Sequence, residues 1–328
     1  MRVTPTSPPR EHLAVLMPIY DDWESAVLLI TAIEQTFIST ETILHFLLVD
    51  DEGSSAAPEH IKTVRSTTVV EILRLRRNLG HQRAIAIGLM HLLHTENITA
   101  VVVMDGDGED TPEGIQILLH RFHTTGEQAT IFAQRARRTE GYPFKVFYYL
   151  FRLCHRFLTG KDIRIGNFSI LPRAHLACLA AAPELWNHFA AAVMKARLPT
   201  HQVPIDRGHR LVGQSRMNFT ALLAHGFSAI SVFADVVALR LLIASSLLAI
   251  GAASGLIVVT AIRLTTTLAI PGWATTAAGL LFVVLLQALL LSFVFVFIVL
   301  HGRNTIGFLP IRDYHFFIEG TRRIDRHD

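Results

Sequence analysis

The stretch Val101–Glu113, VVVMDGDGEDTPE, decides the fold. Four apolar residues, Val101–Met104, read as a buried strand, with Asp105 and Asp107 at its end. Side chains two apart on an extended chain point the same way, so both carboxylates can face one point in space. Gly106 and Gly108 let the backbone turn close to whatever sits there. Hard oxygen ligands at a strand end suit Mg2+ or Mn2+ carrying a diphosphate, since such a cation keeps water and phosphate as its other ligands. An isolated D-x-D is more often a plain acidic turn. This one is not isolated.

On either side, the first two hundred residues alternate between strand and helix patterns. Leu13–Pro18 is a short apolar run, followed by an acidic turn and a helix-like Ser25–Phe37. Ile43–Val49 is a second strand, ending at Asp50 and Asp51; Val69–Leu75 is a third, followed by a helix-like Ala84–His94. Ala100–Met104 is the fourth strand and Ala129–Ala133 a fifth. The expected fold is α/β, a mostly parallel Rossmann-like sheet with helices on both faces. Ligands bind beyond the carboxyl ends of such strands, where Asp21/Asp22, Asp50/Asp51 and Asp105/Asp107 all fall. Three acidic strand ends on one edge describe a site.

Composition sets the surroundings. The chain is 51% hydrophobic and 17% charged, which points to a membrane component. Leu241–Ile262 and Ala274–Leu300 carry no charge, and each is long enough to span a bilayer, so spans are expected rather than buried core helices. Arg207, Arg210, Arg216 and Arg240 precede them; Arg303, Arg312, Arg322, Arg323 and Arg326 follow; the connecting loop has Arg263. The positive-inside rule puts both flanks in the cytoplasm and the loop outside. Within Phe144–Leu158, Lys145, Arg152 and Arg156 recur at helical spacing among aromatics, the pattern of an interfacial helix rather than a core one. The polar opening residues, 1–11, read as a flexible tail and not a signal peptide. A pI near 9.1 with no basic run or zinc-finger spacing excludes nucleic acid as a partner. Cys154 and Cys178 read as reduced thiols, and the histidines form no ligand cluster.

These residues carry a resemblance. The chain resembles the inverting glycosyltransferases of family 2, of GT-A type, and among them the membrane-anchored polyprenyl-phosphate glycosyltransferases. Pro18-Ile19-Tyr20-Asp21-Asp22 stands for P-x-Y-N-E, and Val49-Asp50-Asp51-Glu52-Gly53-Ser54 for V-D-D-G-S with one inserted acid. Asn78-Leu79-Gly80-His81-Gln82-Arg83-Ala84 with Gly88 matches N-x-G-H-Q-x-A-x-x-x-G. Met104–Glu113 corresponds to M-D-A-D-L-Q-D-P-P-E, and Arg207–Arg216 to R-x-x-R-x-x-G-x-S-K with Arg for Lys.

The resemblance implies transfer of one sugar, with inversion, from a nucleotide-sugar donor to polyprenyl phosphate at the cytoplasmic membrane face. It assigns Pro18, Tyr20, Asp22, Asp51, Asn78, His81, Gln82, Asp105 and Arg135 to the donor. Asp107, with Asp105, would ligate Mg2+ or Mn2+, and Arg207, Arg210, Ser215 and Arg216 would take the acceptor phosphate. Asp105, Asp107, Asn167 and Arg210 would act in catalysis. The chain then divides into a GT-A domain (12–216), a juxtamembrane helix (217–240), two transmembrane helices (241–300) and a cytoplasmic tail (301–328) in a bacterial inner membrane. A homo-oligomer stays open. One departure matters: Gly166-Asn167-Phe168-Ser169-Ile170 stands where many relatives have G-D-F-R-L, so an amide replaces a carboxylate. The rival readings are transfer to another membrane lipid, or an inactive scaffold that binds the lipid carrier.

Overall fold

A computed structural model describes residues 11–135, 153–161, 165–213, 226–266, 272–304 and 307–324. Ser215, Arg216, the first part of the expected interfacial helix (144–152) and the start of the juxtamembrane segment (217–225) lie outside the described residues. The chain forms two compact units: one of residues 1–146, 163–232 and 307–328, the other of 147–162 and 233–306.

Among the described residues, the first unit is built on eight strands. They are β1 (His12–Ile19), β2 (Ile43–Asp50), β3 (Val69–Leu75), β4 (Ala100–Val103), β5 (Thr130–Arg135), β6 (Ile165–Pro172), β7 (Thr200–Ile205) and β8 (Ile318–Ile324), in the order β7-β5-β6-β4-β1-β2-β3-β8. β1 pairs in parallel with β2 and β4, and β2 with β3, so the four strands read from their apolar runs form the parallel centre. Strand alternation sorts the core into two layers. Leu13, Val15 and Met17 pack with α1 (Trp23–Thr36) and α3 (Pro112–Thr124) on one face. Ala14 and Leu16 pack with α2 (His81–His94), α5 (Arg173–Ala180) and α6 (Phe189–Lys195) on the other. The α3 start is signalled by Thr111, whose Oγ1 accepts from Gly114 N at 3.1 Å, with Pro112 in the first turn. The sheet is α/β and GT-A-like, as expected from the alternation.

Two features depart from the sequence reading. The fifth apolar run does not continue the parallel series: β6 lies between β4 and β5, antiparallel to both. The segment after residue 300, expected as a tail, returns to the sheet, where β8 pairs antiparallel with β3 (Val70 with Ile324, Ile72 with Arg322). The IEGTRRI sequence of β8 has too few apolar residues to announce a buried strand, because an edge strand needs none on its outer side.

The second unit holds α4 (153–159), α8 (Ala234–Thr265) and α9 (Trp273–Asn304). A short α7 (226–231) belongs to the first unit and α10 (Pro310–Asp313) follows α9. α8 and α9 have 32 residues each, about 48 Å at 1.5 Å per residue, beyond the roughly 30 Å of a bilayer core. They run antiparallel, with Ser245 Oγ 2.8 Å from Ser292 Oγ and Leu281 packed on Gly255. Their outer apolar side chains stay exposed, Ile257 at 70% and Phe293 at 72%.

Candidate active site

The carboxyl ends of β4, β1 and β2 lie side by side, and each ends in acids. Beyond β1 the chain turns through Asp21 in the left-handed region (φ 61°). The Asp21 carboxylate accepts from Ser54 Oγ at 3.0 Å and Ser55 N at 2.7 Å, which pins the loop beyond β2. A Cβ at position 53 would meet Asp21 Oδ1 at 2.4 Å and push on the carboxylate that pins this loop. Pro18 is buried in register with Val49, and Tyr20 is exposed.

Beyond β4, Asp107 is 8% exposed and its Oδ1 accepts from Glu109 N at 3.0 Å. The loop after β7 folds onto this turn. Leu211 N donates to Asp107 O, Gly208 N donates to Glu109 O, and Arg207 pairs with Glu109. Gly108 (φ +86°) lies against Leu211, with no room for a Cβ. Arg210 reaches into the acids, with Nη2 2.9 Å from Asp107 Oδ2 and Nη1 3.4 Å from Asp22 Oδ1. Burial raises the Asp107 pKa above the usual carboxylate range, the Asp105 charge adds to this, and Arg210 and Arg207 oppose it. Asp105, Asp107, Asp22 and Arg210 thus gather in one place.

Asp51 is held differently. Its Oδ1 and Oδ2 accept from Leu79 N (2.7 Å) and Gly80 N (2.8 Å), so both oxygens tie β2 to the start of α2. Burial nevertheless raises its pKa, against those two hydrogen bonds. Asn78 is exposed. Arg135 ends β5, which β6 separates from β4.

A chain of hydrogen bonds fixes Asn167 on β6. Phe189 N donates to Gln82 Oε1 at 2.8 Å, so Gln82 presents its NH2 to Asn167 Oδ1 at 3.1 Å. Asn167 must then turn its own NH2 toward His81 Nε2, 2.9 Å away. The same Nε2 is 3.2 Å from Asp105 Oδ1. Desolvation opposes a charged His81, but the charges of Asp105, Asp51 and Asp107 outweigh it and raise its pKa. An aspartate at 167 would set a further negative charge beside His81; the amide adds none.

Sequence reasoning counted Asp21 and Asp50 among the acidic strand ends without giving either a role, and it gave none to Glu109 or Asp110. Asp21 anchors the β2 loop, Asp110 Oδ2 accepts from Asp105 N at 2.9 Å, Glu109 holds Arg207, and Asp50 lies buried at the end of β2. The burial of Asp50 was readable from alternation, since residues 44, 46, 48 and 50 share one face.

Among the described residues, no three His, Cys, Asp or Glu side chains converge as a complete metal site. The Asp105/Asp107 pair still fits a hard divalent cation, which binds through one or two carboxylates and takes its remaining ligands from substrate phosphate and water. The buried Asp107 carboxylate already draws a cationic partner, the guanidinium of Arg210.

The chain is similar to several known proteins. The structure of glucosyl-3-phosphoglycerate synthase from Mycobacterium tuberculosis with uridine diphosphate is similar over 70% of this chain and 80% of that one, at 13% identity and a TM-score of 0.46. Mannosyl-3-phosphoglycerate synthase from Rubrobacter xylanophilus is similar over 68% of this chain and 73% of that one, at 14% identity and a TM-score of 0.48. The family model for glycosyl transferase family 2 matches residues 14–178, which run from β1 into α5 and include every acidic strand end described above. With half of its length matched, and the acids of that half drawn together at one sheet edge, the chain belongs to glycosyltransferase family 2.

Proposed function

We propose that this chain transfers a single sugar, with inversion, from a nucleotide-sugar donor to a polyprenyl phosphate at the cytoplasmic face of a membrane. The observation that carries the reading is Arg210. It sits on a loop that precedes the long apolar helices in sequence, and its guanidinium reaches Asp107 and Asp22. A guanidinium so placed can exchange carboxylate for phosphate, which it binds in the same forked manner.

An acceptor phosphate oxygen would form the new bond to the anomeric carbon as the bond to the nucleoside diphosphate breaks. A phosphate monoester is largely ionised near pH 7, since its second pKa is about 6. It needs orientation and charge screening rather than proton removal, so an amide at Asn167 is compatible with it. A lipid hydroxyl would need a general base, which Asn167 cannot be. Asp107 and Asp105 would hold Mg2+ or Mn2+, which when bound neutralises charge developing on the departing diphosphate. Arg207 and Arg210, with Ser215 and Arg216 beyond the described residues, would take the acceptor phosphate.

The two apolar helices would anchor the enzyme in the bilayer. β8 follows them and pairs with β3, so an even number of crossings leaves the site and the returning segment on one side. The arginines on both flanks favour the cytoplasm for that side. In α4, Leu153 and Phe157 are exposed at 55% and 78%, which supports an interfacial helix.

The test is a panel of UDP-, GDP- and dTDP-sugars with polyprenyl phosphate, run with and without a chelator. One donor should give a lipid-linked sugar, lost with chelation or with Asp107→Asn and restored by Mg2+ or Mn2+ only in the first case. Turnover of neutral lipid alcohols with none on polyprenyl phosphate would refute the acceptor. Full turnover in excess EDTA would refute the metal.

A further inference from the structure

A cleft of about 550 Å3 opens in the first unit between the Gly53–Ala57 loop and the β3–β8 edge of the sheet. Ile72 and Asp50 line it from the sheet, together with Gly320, Thr321 and Arg322 of β8. Arg322 Nη2 donates to Pro58 O at 2.7 Å, which fastens β8 to the loop overhead. At the rim, Arg74 Nε lies 3.0 Å from Glu319 of the same strand.

Asp50 is the informative group. Its side chain is 6% exposed, yet its partners are distant: Gly53 N at 3.5 Å and Arg74 Nε at 4.0 Å. Its neighbour Asp51, by contrast, has short bonds to both oxygens. A buried carboxylate facing a cleft without close donors is stabilised when a ligand brings them. The cleft also has the right place. It borders the Gly53–Ser55 loop that Asp21 holds, beside Asp22. The end of β2 is two strands from that of β4, roughly 10 Å, which is within the reach of a nucleoside whose diphosphate lies at Asp105 and Asp107.

We propose that β8 is the outer wall of the pocket for the donor's nucleoside, with Asp50 accepting from the N–H or hydroxyl groups of that nucleoside. The segment that follows the apolar helices is thereby a working part of the donor site. The inference rests on the nucleotide-sugar reading above and adds to it a structural source of donor affinity.

Gly320 provides the test, because a Cβ there meets nothing within 4 Å and a large side chain can fill the cleft without displacing the backbone. The full-length protein and its Gly320→Phe and Asp50→Asn variants are titrated calorimetrically with UDP, GDP and dTDP, and their melting temperatures compared. The wild type should bind at least one of the three. Gly320→Phe should weaken that nucleotide roughly tenfold or more, and the isosteric Asp50→Asn by a similar factor, as expected for loss of a hydrogen bond to a charged group. Km for donor should rise in both while Km for acceptor stays unchanged. Wild-type nucleotide affinity in a folded Gly320→Phe, or in Asp50→Asn should the first variant not fold, overturns the inference and leaves the function standing. Failure of the wild type to bind any nucleoside diphosphate overturns both.

Discussion

Replacing Arg210 with glutamine should tighten, not weaken, the grip of the nucleotide-free protein on a divalent cation. Arg210 Nη2 lies 2.9 Å from Asp107 Oδ2, with the two side chains 18% and 11% exposed. In the absence of donor, a cation entering at Asp107 must therefore displace a guanidinium. A pair this enclosed falls between the roughly 0.2–1 kcal/mol of exposed ion pairs and the roughly 3–5 kcal/mol lost when a buried pair is broken. Taking about 2 kcal/mol, the dissociation constant for Mn2+ should fall roughly thirtyfold. The gain should shrink as ionic strength rises, because part of the pair remains screened by solvent. Free Mn2+ can be followed by electron paramagnetic resonance during titration of the purified protein. Under the proposed function the same variant should show a raised Km for polyprenyl phosphate, since Arg210 would hold the acceptor phosphate. Mn2+ affinity that is unchanged or weaker in Arg210→Gln would refute the placement of the cation at Asp107.

Three further outcomes follow from particular contacts. Burial alone would raise the Glu71 pKa, but hydrogen bonds from His45 and His91 hold it at about 2, below the usual 4.5. A depressed carboxyl stabilises the fold above pH 4.5 and loses that contribution as pH falls toward 2. The loss should be at most about 3 kcal/mol, and Glu71→Gln should flatten this limb of a melting-temperature profile; an unchanged limb would count against it. Asn167→Ala should cost about 1–3 kcal/mol, some ten- to hundredfold in turnover, by removing the hydrogen bonds to Gln82 and His81; wild-type turnover would show the relay to be idle. A reporter fused after Asp328 should register as cytoplasmic and one inserted near Thr266 as external, and the opposite signals would reverse the topology.

The parallel centre of the fold was legible because β1 and β4 are buried on both faces, which writes an unbroken apolar run, and β2 and β3 stay largely apolar despite His45, Glu71 and Arg74. The antiparallel strands were not. β6, IGNFSILP, interleaves polar and apolar residues, and its place between β4 and β5 is set by pairing partners that no local pattern encodes. β8 was hidden for a related reason, as most of its side chains are exposed and tolerate charge. At the site, the acids were readable from their positions at strand ends, whereas their division of labour was not. Asp50 and Asp51 are adjacent in sequence, but alternation sends one to the cleft and the other to the start of α2. Only the partners of each carboxylate distinguish them.

The pairing of β8 with β3 also sets an order of events in time. Arg322 and Pro58, which meet across the cleft, are 264 residues apart in the chain. During synthesis β3 is complete long before β8 leaves the ribosome, and both long apolar helices must emerge in between. Until then the sheet has an open edge with unpaired amides and carbonyls, the kind of surface that recruits other chains. On the proposed membrane-anchored reading, membrane insertion and domain folding are consecutive steps of one assembly. A chain whose helices stall outside the bilayer would carry its final strand away from its partner, leaving a nearly finished domain exposed to proteolysis or aggregation.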